Sequence, residues 1–267
     1  MKQTDEPTIQ QLFDLTGKTV LISGASGYLG GAMARGLAEA GARLVVSSRD
    51  QGRAQETALQ MPDPHQVGHL GVELDHMEEA SIESGFESAV NAAGQIDVLV
   101  NNGNDPLGVD WKEVNGDDFS RHLKNATGYF LLARKLRDHV VARQAPGCVI
   151  MIGSMYGVVG SYPEAYEDIC NASPVAYHTM KGGIIHQTRH LSVYWAKDHV
   201  RVNCLSPGPF PSDAAPVAMV ERLKTHSPMG RMGTPAEMKG AVVFLASEAS
   251  SYVTGQNILV DGGWTAW

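Results

Sequence analysis

The sequence predicts an α/β domain in which helices cover both faces of a parallel sheet, a doubly wound arrangement. Short apolar runs rich in β-branched residues alternate with helical patterns along almost the whole chain. Such alternation implies parallel strands joined by right-handed crossovers. The chain has 267 residues, enough for one large domain with a full core. We therefore expect a single domain with about seven strands and with ligands bound beyond their carboxyl ends.

Each predicted element has a local signal. The first strand is the apolar, β-branched run 18–23, and Gly41 and Pro62 end the first two long helical patterns. Residues 1–15 are predicted to be a flexible arm ahead of a domain over 16–267. Residues 155–175 and 206–234 are predicted to be substrate loops, the second with a short helix inside it. Strands are predicted at 18–23, 43–48, 67–74, 96–101, 148–152, 200–205 and 257–260, and helices at 29–40, 51–60, 78–93, 116–142, 174–197 and 236–247.

Charge and composition argue against several classes of function. The net charge is −8 without a basic cluster, so nucleic acid and acidic membranes are poor partners. No apolar run approaches the ~20 residues of a membrane span, and residues 1–11 lack a signal-peptide core. The chain has an odd number of cysteines, far apart in sequence: Cys148, Cys170 and Cys204. Their number favours a reducing compartment, the cytoplasm, and their spacing argues against a structural zinc site. His186 and His190 have a metal-ligand spacing, but the glutamate of a zinc motif is missing, so we predict no metal.

A glycine-rich turn between the first strand and the first long helix indicates a nucleotide phosphate site. Gly24 allows a tight turn, Gly27 leaves the backbone bare for a pyrophosphate, and Gly30 lets the helix pack on the sheet. The motif is weak alone, but it lies between a strand and a helix, as nucleotide binding requires. A plain glycine turn is the alternative. The predicted cofactor contacts of the turn are Gly24, Ser26, Gly27, Tyr28, Leu29 and Gly30.

The residues after the second and third strands bear on the choice of cofactor. Folds selective for NAD usually place an acid after the second strand, where this chain has Ser48 and Arg49. A guanidinium suits a 2′-phosphate, so NADP(H) is favoured and NAD(H) stays possible. Asp50 is the alternative, since it could neutralise Arg49 or take the ribose itself. After the third strand, Leu74 and Asp75 could contact adenine, although Asp75 could equally cap the next helix.

Four further polar residues suggest proton-transfer chemistry. Tyr177 and Lys181 are one helical turn apart on one face, and a positive charge that close is predicted to lower the tyrosine pKa. A solvated lysine beside a packed tyrosine is the bland alternative. Ser154, after the fifth strand, could hold a carbonyl or alcohol oxygen, or could simply be a turn serine. Asn125, on an otherwise apolar stretch of helix, needs a buried partner and could order a water chain.

These motifs, in this order, resemble those of the short-chain dehydrogenase/reductases. The resemblance covers about residues 12–267 and includes the glycine turn, Asn125, Ser154, the Tyr177–Lys181 pair and the segment Arg201–Gly208. The C-terminal Tyr252–Gly255 and Val260–Gly263 also match. Such a resemblance implies a Rossmann-like fold, a small-molecule substrate and a homotetramer.

The resemblance also implies a role for each site residue. Tyr177 would be the acid/base, Lys181 would hold the nicotinamide ribose, Ser154 would bind the substrate oxygen, and Asn125 would steady a proton-relay water. Asn101 would brace the sheet and the adenosine ribose. The other implied cofactor contacts are Gly103, Pro207, Gly208, Phe210 and Ser212.

The chain departs from the family pattern in three places, two near the cofactor and one near the substrate. The glycine turn has its middle glycine at position 27, and Asn104 replaces a usual glycine. Ser154 and Tyr177 are 23 residues apart, farther than in most members. The additional stretch, 162–171, could bind a polyhydroxylated substrate, or it could be a surface excursion or a subunit contact.

The two ends of the chain, 12–18 and 261–266, resemble gluconate 5-dehydrogenase-like members that act on sugar acids and polyols. A 3-oxoacyl-carrier-protein reductase is the alternative enzyme, and a non-catalytic cofactor sensor is the alternative of another class.

Overall fold

One parallel sheet organises the protein, and the computed structural model describes residues 6–266 of it. In chain order its strands are β1 (Thr19–Ser23), β2 (Arg43–Ser48), β3 (Leu70–Glu73), β4 (Val98–Asn101), β5 (Gly147–Ile152), β6 (Val200–Pro207) and β7 (Asn257–Val260). Their order across the sheet is β3-β2-β1-β4-β5-β6-β7, and every neighbouring pair is parallel. The strand order reverses beside β1, which is where ligands bind in such sheets.

Helices connect the strands. They are α1 (Ile9–Phe13), α2 (Tyr28–Glu39), α3 (Gln51–Leu59), α4 (Glu79–Ala93), α5 (Gly116–Ala142), α6 (Pro163–Tyr166), α7 (Val175–Trp195), α8 (Val217–Lys224) and α9 (Glu237–Ala246). None of the helices in residues 6–266 combines the length and apolar character needed to cross a bilayer.

Alternation along the strands produces one core on each face of the sheet. In β1, Val20 and Ile22 pack with α2 and α9, whereas Leu21 between them packs with α4, α5 and α7. Successive strand residues point to opposite faces, so a strand buried on both sides must be apolar throughout. The predicted doubly wound fold is therefore confirmed.

The predicted boundaries hold within a few residues, with two differences. The third strand is shorter than predicted, because only Leu70–Glu73 pair with β2. The flexible arm predicted over residues 1–15 is corrected for residues 6–15, and residues 1–5 lie outside the described part. Within residues 6–15, α1 begins at a capping box between Thr8 and Gln11, and Phe13 packs against Phe244. This short helix thus has both a cap and a tertiary contact.

The two predicted substrate loops pack on each other above the sheet. Within 155–175 lie a 3₁₀ turn (Met155–Gly157) and α6, and within 206–234 lies α8. A third apolar cluster joins them. The guanidinium of Arg222 on α8 donates to the carbonyl oxygens of Glu164 (2.8 Å) and Glu167 (2.7 Å), so the two loops form one cover.

Candidate active site

A groove of about 330 Å³ runs along the carboxyl ends of β1 to β4. Gly24 has φ +68°, in the left-handed region where glycine is favoured, and a Cβ there would meet the Asn102 amide at 2.8 Å. A Cβ at Gly30 would overlap the carbonyl oxygen of Gly24. The turn therefore needs both glycines, and it presents the N-terminus of α2 to the groove, a geometry suited to a pyrophosphate. Of the predicted cofactor contacts, those that line this groove are Gly24, Ser26, Gly27, Tyr28, Leu29, Gly30, Ser48, Arg49, Leu74 and Gly103.

Ser23 and Asn102 hold the glycine turn against the end of β4. The Ser23 hydroxyl accepts from the backbone N–H groups of Asn102 (3.0 Å) and Gly103 (2.8 Å). The Asn102 amide donates to the carbonyl oxygens of Ser23 (3.0 Å) and Gly24 (3.1 Å). These bonds fix the floor of the groove.

The end of the groove after β2 carries two guanidinium groups. Arg49 and Arg53 both line it, beside Ser48. Asp50, the alternative ribose acceptor, instead caps α3 by accepting from the backbone N–H of Arg53 at 2.7 Å. The acid nearest Arg49 is Asp105, whose Oδ1 lies 3.7 Å from Nη1.

Two predicted adenosine-side contacts lie outside the groove lining and are corrected. The Asp75 carboxylate accepts from the backbone N–H of Met77 at 2.9 Å, so it shapes the turn before α4. Asn101 is fully buried, and its amide donates to the carbonyl oxygen of Tyr129 at 2.9 Å. Asn101 therefore braces the sheet against α5, which is one of the two roles predicted for it; the other was contact with the adenosine ribose.

Tyr177 and Lys181 lie together at the start of α7, but their electrostatics differ from the prediction. Burial raises the pKa of the Tyr177 phenol, and a hydrogen bond with Ser154 partly offsets that rise. The Lys181 ammonium is 5.6 Å from the Tyr177 ring centroid and donates to the carbonyl oxygen of Ile152 at 2.7 Å. Burial lowers the pKa of Lys181 to about 8. The predicted fall in the Tyr177 pKa is thus wrong here, because desolvation of the buried phenol is the largest effect.

Ser154 is placed by its neighbours at the end of β5. A Cβ at Gly153 would overlap the hydroxyl of Ser206 on the adjacent strand, so glycine lets β5 and β6 run close together to their ends. The buried Ser154 hydroxyl accepts from the backbone N–H of Tyr156 at 3.1 Å. The hydroxyl also lies close enough to the Tyr177 phenol to lower its pKa, so the two side chains are neighbours.

Asn125 has the buried partner that the sequence requires. Its Oδ1 pairs with Nε2 of His76 (2.9 Å) and accepts from the backbone N–H of Asp105 (2.7 Å). Its Nδ2 donates to the carbonyl oxygens of His122 (2.8 Å) and Asp105 (3.3 Å). The amide's hydrogen-bonding capacity is therefore filled, so a relay water would have to be held by another group. A Cβ at Gly128 would overlap the His76 carbonyl oxygen, which explains how α5 comes so close.

The residues after β6 that the resemblance places at the nicotinamide have different surroundings in the structure. Gly208 packs against the backbone of Asp261. Pro207 is buried and Ser212 is exposed. Phe210 lines a second cavity with Pro228, Met229 and Gly233, and its contact with the cofactor stays a prediction. Its ring lies over Gly233, which has no side chain to displace it.

Sequence reasoning missed several polar residues at the site. His122 is 2% exposed, its ring centroid is 6.0 Å from that of Tyr177, and neither ring nitrogen has a hydrogen-bond partner within residues 6–266. Its spacing of three residues from Asn125, one helical turn, was a usable signal. The groove residues that were not among the predicted cofactor contacts lie at strand ends or soon after them; they are Ser23, Ser47, Arg53, His76, Met77, Asn102, Asn104 and Asp105.

The stretch 162–171 contributes aromatic packing rather than acids to the interior. Tyr166 is buried, and its hydroxyl lies 2.5 Å from that of Tyr156. Tyr162 stacks on His226, with ring centroids 3.7 Å apart. Glu164 is mostly exposed and contacts His226 at 3.3 Å. The acids therefore lie on the outer side of the cover, and the tyrosines on the inner side.

Comparison with known proteins finds similarity along nearly the whole chain. Residues 24–265 match the model of a family described as enoyl-(acyl carrier protein) reductase. A 3-oxoacyl-(acyl-carrier-protein) reductase of Aquifex aeolicus is 34% identical over 261 residues, covering 93% of this chain and 98% of the relative. An NADP-dependent mannitol dehydrogenase of Hypocrea jecorina is 34% identical over 269 residues, covering 95% and 94%. The crystal structure of a gluconate 5-dehydrogenase from Burkholderia cenocepacia in complex with NADP and tartrate matches with a TM-score of 0.85 at 28% identity, covering 97% of this chain and 100% of that one.

Proposed function

The chain belongs to the short-chain dehydrogenase/reductase family, and within that family we propose an NADP(H)-preferring oxidoreductase that acts on a sugar, a sugar acid or a polyol. Its relatives are dehydrogenases and reductases of CH–OH groups, and the protein is an enzyme of that class. The observation that carries the proposal is the meeting of Ser154, Tyr177 and buried Lys181 beside a glycine-lined groove.

The residues of the groove fit a dinucleotide. The glycine turn and the N-terminus of α2 suit a pyrophosphate, while Arg49 and Arg53 suit a 2′-phosphate. A bound nicotinamide cofactor supplies or accepts the hydride in this chemistry. The part of the chain itself is to hold the reacting oxygen and to move its proton.

Tyr177 and Ser154 divide that work. Because burial raises the pKa of Tyr177, the side chain is a neutral phenol at pH 7 and is ready to donate a proton to a carbonyl oxygen. The neighbouring Ser154 hydroxyl holds the same oxygen. Lys181, with a pKa of about 8, is still mainly an ammonium at pH 7 and offers a positive charge to the developing alkoxide. Carbonyl reduction is the direction that these protonation states favour at neutral pH.

The substrate part of the proposal rests on relatives and on the cover. The mannitol dehydrogenase and the gluconate 5-dehydrogenase act on polyhydroxylated compounds. The Tyr156 and Tyr166 hydroxyls form a pair on the inner side of the cover, where they can exchange hydrogen bonds with such a substrate. A second candidate is 3-oxoacyl-carrier-protein reduction, which the 34% identical relative from Aquifex aeolicus favours. The net charge of −8 is mildly unfavourable for an acidic carrier.

A reductase assay with a substrate panel tests the proposal. The purified protein is offered keto-sugars, keto-sugar acids and a 3-oxoacyl thioester with NADPH or NADH, and nicotinamide absorbance is followed. We expect turnover of a keto-sugar or keto-sugar acid, faster with NADPH. Turnover of the thioester alone would establish the second candidate, and an unchanged cofactor preference in Arg49→Ala would remove the basis for NADP(H).

Single substitutions in the cover test the role of 162–171. Deleting the stretch would remove the buried Ala165 and Tyr166, so Tyr166→Phe is the cleaner change. We expect it to raise the KM for a keto-sugar and to leave the KM for a thioester near its wild-type value. Tyr162→Phe, which keeps the stack on His226, is the matched control.

The homotetramer remains a proposal. Val193 and Tyr194 on α7 are exposed at 75% and 62%, an apolar surface that association would cover. Sedimentation of wild type and of Val193→Glu is the measurement. A monomeric wild type would contradict the proposal.

A further inference from the structure

Asp105 occupies an unusual position between the two ends of the site. Its Oδ2 lies 2.7 Å from Nη2 of Arg121, and its Oδ1 lies 3.7 Å from Nη1 of Arg49. Its backbone N–H and carbonyl oxygen both bond the amide of Asn125. The carboxylate is 14% exposed, whereas the Arg49 side chain is 61% exposed. A fixed acid therefore sits beside a movable guanidinium.

Asp105 is also the one acid among the described residues that line the groove. Asp50, the acid nearest in sequence to Arg49, faces away to cap α3. Within residues 6–266, Arg49 has no ion pair other than that with Asp105. The charge that opposes Arg49 thus comes from the end of β4 and not from the end of β2.

We propose that Asp105 is a specificity-determining residue that limits the preference of this enzyme for NADP(H) over NAD(H). The inference rests on the proposed role of Arg49 at the 2′-phosphate. The Asp105 carboxylate competes for the guanidinium that the 2′-phosphate needs, and it repels the phosphate directly. A cofactor without that phosphate is affected by neither the competition nor the repulsion, and its ribose hydroxyls can donate hydrogen bonds to the carboxylate.

Arg121 adjusts this competition from the other side. It holds one carboxylate oxygen at hydrogen-bonding distance and neutralises part of the acid's charge. Without Arg121, the Asp105 carboxylate pairs with Arg49 alone. Arg49 is then less available to the 2′-phosphate, so phosphate binding weakens further. Removing the charge of Asp105 frees Arg49. The two substitutions are therefore expected to move cofactor preference in opposite directions.

The backbone contacts of Asp105 explain why the acid is held in place. Asn125 is itself tied to His76, so the segment that carries Asp105 is anchored on α5 and on the turn before α4. The backbone of Asp105 is thus held in place, and its side chain is far less exposed than that of Arg49.

Calorimetric titration of the full-length protein with 2′,5′-ADP and with 5′-AMP measures the effect without turnover. We expect Asp105→Asn to raise the affinity ratio in favour of 2′,5′-ADP by about two- to fivefold, the range of a partly exposed charge pair. Arg121→Gln should lower that ratio. Both effects should shrink as ionic strength rises. Asp110→Asn, the same change of charge on the same loop but outside the groove lining, is the control.

The outcomes separate this inference from the proposed function. If Arg49→Ala abolishes the discrimination between the two nucleotides and Asp105→Asn leaves it unchanged or lowers it, the inference is overturned while the NADP(H) proposal stands. If Arg49→Ala has no effect, the NADP(H) proposal itself fails. If Asp105→Asn fails to fold, Arg121→Gln decides: a lowered ratio supports the inference, and an unchanged or raised ratio overturns it.

Discussion

The ammonium nitrogen of Lys181 donates a hydrogen bond to the carbonyl oxygen of Ile152 at 2.7 Å, so α7 is tied to the end of β5. Ile152 is two residues before Ser154 in the chain. The bond therefore joins the lysine of the Tyr177–Lys181 pair to the segment that carries Ser154. The ammonium is buried, and desolvation lowers its pKa to about 8.

Replacing Tyr177 with Phe should remove proton transfer and spare the fold. The ring remains to pack against α5, but the hydroxyl that meets Ser154 is lost. We expect kcat/KM to fall by at least about 100-fold, with cofactor affinity near the wild-type value. Steady-state assays and nicotinamide fluorescence titration measure the two quantities. Tyr162→Phe, which keeps its stack on His226, is the control, and full turnover in Tyr177→Phe would contradict the mechanism.

Replacing Lys181 with Met should change how stability depends on pH. The unfolded lysine has a pKa near its usual 10.5, and the buried one has a pKa of about 8. Between these values the unfolded chain binds more protons, so the wild type gains stability as pH rises. The limiting slope is about 1.4 kcal/mol per pH unit.

The measurement is the difference in unfolding free energy between wild type and Lys181→Met, followed by urea denaturation from pH 7 to 10. Taking the difference cancels the titrating groups that do not interact with Lys181. We expect the wild type to gain on the variant above pH 8. A difference that is flat with pH would show that Lys181 is not desolvated.

Removing the imidazole of His76 should destabilise the protein through Asn125. Burial lowers the pKa of His76, so the ring is neutral at pH 7 and its Nε2 proton serves the Asn125 amide. His76→Phe leaves that buried amide one partner short, at a cost of about 1–3 kcal/mol in unfolding free energy. His76→Gln, which retains a hydrogen-bond donor, should restore part of the lost unfolding free energy. Equal stability of all three proteins would show that the bond contributes nothing.

Breaking the Arg222 contact should loosen the cover without changing its apolar packing. Arg222→Ala removes both bonds to the carbonyl oxygens of Glu164 and Glu167. We expect faster proteolysis within 158–175 and a higher KM for substrate, since the cover would open more often. Lys224→Ala, on the same helix but without contact to 162–171, is the control. Identical proteolysis in the two variants would contradict this role for Arg222.

Local signals made most of the fold predictable from sequence. The helix predicted at 116–142 matches α5, because Asn115 caps its start and its buried positions follow the helical repeat. The arm before β1 was mispredicted because α1 is stabilised partly by Phe244, more than 200 residues away. A five-residue helix gives little periodicity to read.

The candidate site was predictable where a motif carries its own geometry. The glycine turn needs residues without side chains at positions set by its own backbone, so sequence located it. The sequence did not indicate where the Phe210 ring lies, because the space over Gly233, on another part of the loop, decides its position.

Sequence by itself determined the sheet, the phosphate turn and the spacing of Tyr177 and Lys181, because these depend on backbone conformation and helical repeat. Tertiary structure decided the charge states and the pairings. Burial from several distant segments raises the pKa of Tyr177 where helical spacing alone predicted a fall. Likewise, Arg49 is opposed by Asp105 and not by neighbouring Asp50, because the loop after β4 reaches past the end of β1 to the end of β2.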